Sequence, residues 1–252
     1  MSRYVVMPTW DDVPHLSQEQ KDELWGSIPP HQREARSKGI PVLGSGQIYP
    51  VAEDKVKVAD FKIGPDWPRA YGKDVGWNWN GCVWLAQNPN TQELFLYNCY
   101  KAGHAEPAIH AAAIKARGEW IHGAIDPAAN SSGQVDGKQL LKEYVRLGLH
   151  LHKAENAVET GIMKVWQLLS TGQLKVFESC LPWWEEFRNY QRDLNGRIVK
   201  ENDHLMDATR YAVMTGLEHL EVDPEHDKAR RKREAEETVY YNEATISQNW
   251  MG

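Results

Sequence analysis

The sequence predicts an α/β fold: a mixed central sheet with helices on both faces, preceded by an irregular N-terminal arm. Three observations predict it. Short runs rich in Val, Leu, Tyr, Phe and Trp alternate with stretches of helical period from residue 69 to residue 220. The first three runs follow one another without a helix, which is an antiparallel meander, and the later ones are separated by helical segments. Finally, 252 residues suffice for one large domain with appendages.

Taken in order, residues 1–66 are the arm, expected to pack on the core. Pro8, Pro14, Pro29, Pro30 and Pro41, with Gly39, Gly44 and Gly46, punctuate it too often for long regular elements. One short helix interrupts it, with Ser17 as N-cap, Glu19 and Gln20 next, and Leu24 and Trp25 before Pro29 stops it. The core is assigned to residues 67–222. Arg69 opens a strand that runs through Ala70 to the glycine turn at Gly76. Gly81 to Gln87 and Glu93 to Lys101 are two more strands, joined by the turn residues Asn88, Pro89 and Asn90. Ala105 to Arg117 is an alanine-rich helix ended by Gly118, and Trp120 to Asp126 is a strand closed by Pro127. The order to that point is βββαβ. Helices then fall at Gln134–Leu147, Val158–Ser170 and Trp183–Leu194, alternating with strands at Leu149–Ala154 and Leu174–Phe177. Leu205, Ala208, Tyr211, Ala212 and Leu217 make Asp203–Leu220 a last helix. Residues 223–252 are a tail, in which the basic run Lys228–Arg233 lies among acids as a solvated helix.

Composition narrows the function classes. With 41% hydrophobic and 25% charged residues the chain is globular, and no apolar run approaches the roughly 18 residues of a membrane span. No secretory leader is visible, so a reducing, intracellular setting is expected. Cys82, Cys99 and Cys180 lack a CxxC spacing and read as buried thiols rather than a disulfide framework or zinc ribbon. A net charge of −6 does not advertise a nucleic-acid binder, although clustered carboxylates can produce an acidic total around a local basic groove. Gly39–Gly46 has the G-x-x-x-x-G frame but ends Ser45-Gly46, where a phosphate loop needs Lys and then Ser or Thr. HExxH, GxSxG and the kinase pair HRD and DFG are absent. His150 and His152 alternate on a strand, which fits one exposed and one packed ring better than a metal pair. The sequon Asn130-Ser131-Ser132 carries no meaning without secretion.

What remains is a set of acids at element ends. Asp74 lies in the first strand just before Gly76, Asp126 ends the fourth strand, and Asp203, His204 and Asp207 open the last helix. Taken singly, each has a structural use: a turn carboxylate, a turn former before proline, an N-cap at Asp203. Asp207 has no capping duty and shares a face with His204. Adjacent parallel strands would set Asp74 beside Asp126, and a helix crossing there would present Asp207 to the same point. Convergent carboxylates repel unless cations lie between them. Mg²⁺ or Mn²⁺, held through a few carboxylates and several waters, answers this, and two ions about 4 Å apart clamp a phosphodiester for in-line attack by water.

Five stretches then carry a family resemblance: Thr9–Leu16 (TWDDVPHL), Gly39–Gly46 (GIPVLGSG), Tyr71–Trp77 (YGKDVGW), Gly123–Pro127 (GAIDP) and Asn202–Tyr211 (NDHLMDATRY). In this order, over about residues 9–215, they resemble the C-terminal nuclease domain of the large terminase subunit of tailed bacteriophages, in the ribonuclease H-like superfamily. The resemblance implies a ribonuclease H-like sheet and an endonuclease that cuts concatemeric double-stranded DNA by a two-metal mechanism. It implies Asp74, Asp126 and Asp207 as metal ligands and His204 as an auxiliary catalytic group. Related sequences carry an acidic pair at the helix start, so Asp203, Asp207 or both reach the Mg²⁺ or Mn²⁺. Implied partners are double-stranded DNA, the terminase small subunit and the portal protein, in the host cell cytoplasm. Family members carry a packaging ATPase ahead of the nuclease; this chain has no phosphate loop and is expected to be an expressed C-terminal piece.

Arg188, Arg192, Arg197 and Lys200 flank the acids in sequence and suit either a phosphate-contacting groove or a solvated charged face. The 11 tryptophans are assigned to core and arm packing, because duplex DNA hides its bases. Two rival readings stand beside the terminase one: another ribonuclease H-like nuclease of the resolvase or transposase type, and a catalytically inactive module that docks DNA or the portal.

Overall fold

The computed structural model describes residues 9–12, 15–27, 37, 46–127, 137–193 and 195–233. The glycine frame at 39–45, the sequon at 130–132 and the tail beyond 233 lie outside them. The chain divides into two compact units, residues 1–50 with 191–199 and residues 51–190 with 200–252.

In the first unit, a 3-10 turn spans Trp10–Asp12 and helix α1 spans Gln18–Ser27. Ser17 caps α1 as its sequence predicts: Gln20 N donates to Ser17 Oγ at 3.2 Å, and Ser17 N donates to Gln20 Oε1 at 3.0 Å. This is a reciprocal capping box. Residues 191–199 make a tight turn in which Arg192 bridges Ile198, and Gln191 bridges Gln47.

The second unit is built on a seven-stranded sheet of order β1-β7-β4-β3-β2-β5-β6. Its strands are β1 (Lys57–Val58), β2 (Arg69–Asp74), β3 (Asn80–Gln87), β4 (Leu94–Ala102), β5 (His122–Ile125), β6 (Leu151–Lys153) and β7 (Leu174–Phe177). β2, β3 and β4 form the antiparallel meander, and every other pairing is parallel. The sheet is therefore mixed, as expected. The helices are α2 (Glu53–Val56), α3 (Pro107–Lys115), α4 (Gly137–Arg146), α5 (Val158–Ser170), α6 (Leu181–Asn189) and α7 (His204–Met214).

Three elements depart from the sequence reading. Residues 53–58 belong to the irregular arm in that reading but form α2 and the edge strand β1. A two-residue strand leaves no period in the sequence; parallel pairing of Lys57 with Val176 and Val58 with Phe177 creates it. Helix α6 starts earlier, with proline in its first turn, and stops at Asn189 rather than Leu194. The last helix stops at Met214 and passes into a 3-10 turn, Gly216–His219, rather than running to Leu220.

Strand β3 is buried from Asn80 to Ala86 because both faces of the sheet are covered. On one face Tyr71, Cys82 and Trp84 pack against Ala111 and Ile114 of α3 and Tyr144 of α4. On the other, α7 crosses β2 and β3, with α5 and α6 beside it. Trp183, Trp184 and Phe187 of α6 are fully buried there, each contributing on the order of 2–3 kcal/mol of apolar burial. Gly72 permits the tightest part of this layer: a Cβ at that position would lie 1.9 Å from the Ala208 carbonyl oxygen. Only glycine lets helix and strand backbones approach so closely.

Candidate active site

The parallel register of β2 and β5 sets Lys73 opposite Ile125. The next residue of each, Asp74 and Asp126, therefore leaves the sheet at the same edge, and Asp126 N donates to Lys73 O at 2.9 Å. Period-two alternation sends Gly72 and Asp74 to the α7 face. There His204 Nδ1 lies 2.8 Å from Asp74 Oδ2. Two turns along, Tyr211 donates its hydroxyl to Asp126 Oδ1 at 3.1 Å. Asp207 sits on α7 between those two contacts, so one helix ties both strand acids to its own.

Asp207 is held by two cations. Arg210 Nη2 donates to its Oδ1 at 3.0 Å, and Lys200 Nζ approaches its Oδ2 at 3.2 Å. Lys200 Nζ also lies 2.9 Å from Asp203 Oδ2. Asp203 is the N-cap residue of α7 by position, yet its side chain makes no capping bond. The capping acceptor comes from another helix: Leu205 N donates to Glu186 Oε2 at 2.6 Å, while Lys101 Nζ holds Glu186 Oε1 at 2.7 Å. Glu186 was invisible to the sequence reading because its partner lies on a different element. Its contact leaves the Asp203 carboxylate for Lys200.

Burial pushes the Asp74 carboxyl up to about 6, with repulsion from Asp207 and Asp126 adding to it and the His204 bond opposing it. The same bond raises His204 above its ordinary value, against the effect of burial. Burial pulls Lys200 down, but Asp207 and Asp203 together outweigh it and leave its ammonium above the usual range. Burial, then Asp126 and Asp207, raise Tyr211, which stays a donor. Beneath the acids, on the opposite face, Lys73 is wholly buried, and burial lowers it. It donates to Asn80 Oδ1 and lies over the Tyr144 ring at 4.4 Å. A lysine in the middle of a strand gave no sign of this in the sequence.

The donor chemistry suits a hard divalent cation. Asp74 feels the charge of Asp207 and Asp126, Lys200 and Arg210 offset the charge of Asp207, and His204 and Tyr211 bond to Asp74 and Asp126. As the side chains stand, no three His, Cys, Asp or Glu among the described residues are grouped to enclose an ion. Lys200 supplies positive charge to Asp203 and Asp207 in this arrangement, and its side chain is 60% exposed and able to swing away.

The other predicted cations are placed differently. Arg188 shares the unit with the acids but pairs with Glu53, Nη2 to Oε2 at 2.9 Å. That bond draws the Glu53 carboxyl down to about 2. Arg192 and Arg197 lie in the first unit, where Arg192 Nη1 donates to Gly196 O at 3.0 Å and Arg197 N donates to Asp193 Oδ1 at 2.8 Å. His150 is exposed and His152 half-buried, with His152 Nε2 3.0 Å from His122 Nδ1. These rings stack in pairs, His122 on His150 and His152 on His219.

A meander continued by parallel strands, with acids ending β2 and β5 and a covering helix that bonds to both, defines the ribonuclease H-like class. The family model for the terminase RNaseH-like domain matches residues 72–215, and the chain belongs to that family. It is 35% identical over 229 residues to the terminase large subunit of Enterobacteria phage LP7, covering 86% of this chain and 47% of the relative. It is 35% identical over 226 residues to that of Salmonella phage P22, covering 84% of this chain and 44% of the relative. The chain thus spans about half the length of the curated relatives it matches. The solved P22 large terminase nuclease domain superposes with a TM-score of 0.66 at 29% identity, covering 72% of this chain and 97% of that one. No described helix is long and apolar enough to cross a membrane.

Proposed function

We propose that this chain is a Mg²⁺- or Mn²⁺-dependent endonuclease that hydrolyses phosphodiester bonds of concatemeric double-stranded DNA during phage genome packaging. The observation that carries the reading is that one helix, the one bearing Asp207, bonds through His204 and Tyr211 to both strand-end acids, Asp74 and Asp126. Asp74, Asp126 and Asp207, with Asp203 beside them, would hold two ions. Bound divalent cations supply Lewis acidity there, lowering the pKa of water and stabilising charge on the leaving 3′ oxygen.

The chain's own residues do the rest. Tyr211 orients Asp126 through its hydroxyl, Arg210 fixes Asp207, and His204 keeps a proton beside Asp74. Glu186 fixes the start of α7, on which Asp207 and His204 ride. Lys200 is free to trade its carboxylate partners for a DNA phosphate once metal takes over their neutralisation. In the whole assembly we place the chain beside a packaging ATPase, the small subunit and the portal, in the host cytoplasm.

Incubation of the chain with supercoiled plasmid in Mg²⁺, Mn²⁺ or EDTA, beside Asp126→Asn, tests the reading. Cutting is expected with either ion, and none with EDTA or the variant. A second reading, a vestigial acidic pocket in a docking module, draws on one observation: both Asp207 oxygens are already engaged by cations. Absence of cutting together with absence of Mn²⁺ binding by calorimetry would decide for that second reading.

A further inference from the structure

The loop that leaves β2 after Asp74 carries two indoles into solvent. Trp77 is 64% exposed and Trp79 45%, whereas Trp84, Trp183 and Trp184 are buried. The assignment of tryptophans to packing therefore fails at these two positions. They lie within three residues of each other, an exposed aromatic patch rather than scattered surface residues.

The patch is held in place by the end of β4. His104 N donates to Trp77 O at 2.9 Å, from a residue whose φ is 53°. That left-handed conformation costs a non-glycine residue energy and persists only where the surroundings impose it. A Cβ on the neighbouring Gly103 would lie 1.8 Å from Asn78 O, so glycine is required for the two segments to meet. The Trp77 ring meets the His104 ring edge-on at 6.0 Å, and Lys101 Nζ lies 5.0 Å from the centre of the Trp79 ring.

The patch is also continuous with the acids. Lys101 contacts Glu186 at 2.7 Å and Asn202 Oδ1 at 3.4 Å, beside the start of α7. Trp77 lies three residues beyond Asp74. That is a span of at most about 11 Å, or about three base steps along a DNA strand.

We propose that Trp77 and Trp79 form a stacking platform for unpaired nucleobases next to the scissile phosphodiester, so that the site engages locally opened DNA in preference to fully paired duplex. The inference rests on reading the chain as a DNA nuclease. An indole face stacks on any base, so the contact needs no sequence. Bases inside an intact duplex are already stacked on one another and offer no free face. Lys101 borders the patch and Lys200 the acids, two ammonium groups able to exchange a carboxylate partner for a strand's phosphate.

The test is anisotropy of fluorescein-labelled DNA in Ca²⁺, comparing a short oligothymidylate with a blunt duplex of the same length. Wild-type protein is expected to bind the single strand more tightly. Trp77→Ala and Trp79→Ala should each weaken that binding by about 5- to 150-fold, the usual worth of one base stacked on an aromatic ring. Duplex binding and the melting curve should stay as in wild type, and Trp77→Phe should restore most of the lost affinity. Equal single-strand affinity in the alanine variants, or a wild-type preference for duplex, overturns the platform and leaves the nuclease reading standing. Failure of wild type to bind either DNA overturns both. Sedimentation of the same samples separates one further outcome: loss of a dimer in Trp77→Ala with DNA affinity unchanged would assign the patch to a second copy of the chain and overturn the proposal.

Discussion

Replacing Asp74 with Asn changes the charge of the site while keeping its shape. In the metal-free protein burial holds this carboxyl at about 6, against an ordinary value of 3.8. Two units correspond to about 3 kcal/mol at about 1.4 kcal/mol per unit. The expected gain is smaller, about 1–2 kcal/mol, because Asn surrenders the charge-assisted part of the bond to His204. The folded-state value lies above the unfolded one, so between about pH 4 and pH 6 the folded protein binds more protons. The contribution of Asp74 to wild-type stability therefore falls as pH rises through that window, whereas Asn has no proton to lose. Asp74→Asn should be the more stable protein at pH 7.5, by about 2–8 °C in melting temperature, and the advantage should vanish near pH 4. Thermal melts followed by circular dichroism in EDTA, at both pH values, measure this. A variant less stable than wild type at pH 7.5, or a gain that ignores pH, would refute the charge argument.

The same variant predicts a metal effect: Mg²⁺ at about 100 times its dissociation constant should stabilise wild type by about 2.7 kcal/mol and Asp74→Asn by far less, as paired melts with and without the ion will show. Lys200→Ala removes the cation shared by Asp203 and Asp207, so metal-free stability should drop by up to about 1 kcal/mol while calorimetry shows tighter Mn²⁺ binding. Unchanged Mn²⁺ affinity would mean that Lys200 does not compete for those carboxylates. Gly72→Ala forces a methyl group into the Ala208 carbonyl and should cost about 3 kcal/mol or more, read by urea denaturation.

The position of the two strand-end acids at one sheet edge was legible because both signals are local. Asp74 ends a strand run before a glycine turn, Asp126 ends another before proline, and the βββαβ order makes those strands neighbours. Asp207 stood out only as a carboxylate one turn into a helix with no cap to make; its assignment as a ligand came from the family resemblance. The site's surroundings were not legible, because they arise between distant elements. Glu186 reaches from α6 to cap α7, a task the sequence assigned to Asp203. Arg188, chosen for a DNA groove, is engaged by Glu53 of a helix that leaves no period of its own. Trp77 and Trp79 look like Trp84 in composition and differ only in where the turn carries them. Periodicity reports which face of an element is apolar; it says nothing about what stands opposite.

Helix α7 is buried from Leu205 to Met214. A segment enclosed on every side has no room to swing, and with it Asp207 and the contacts to Asp74 and Asp126 are fixed in place. The helix is a fixed mount rather than a hinged arm. What can move at its acids is the exposed Lys200 side chain, bound to Asp203 and Asp207, and not the helix that carries Asp207.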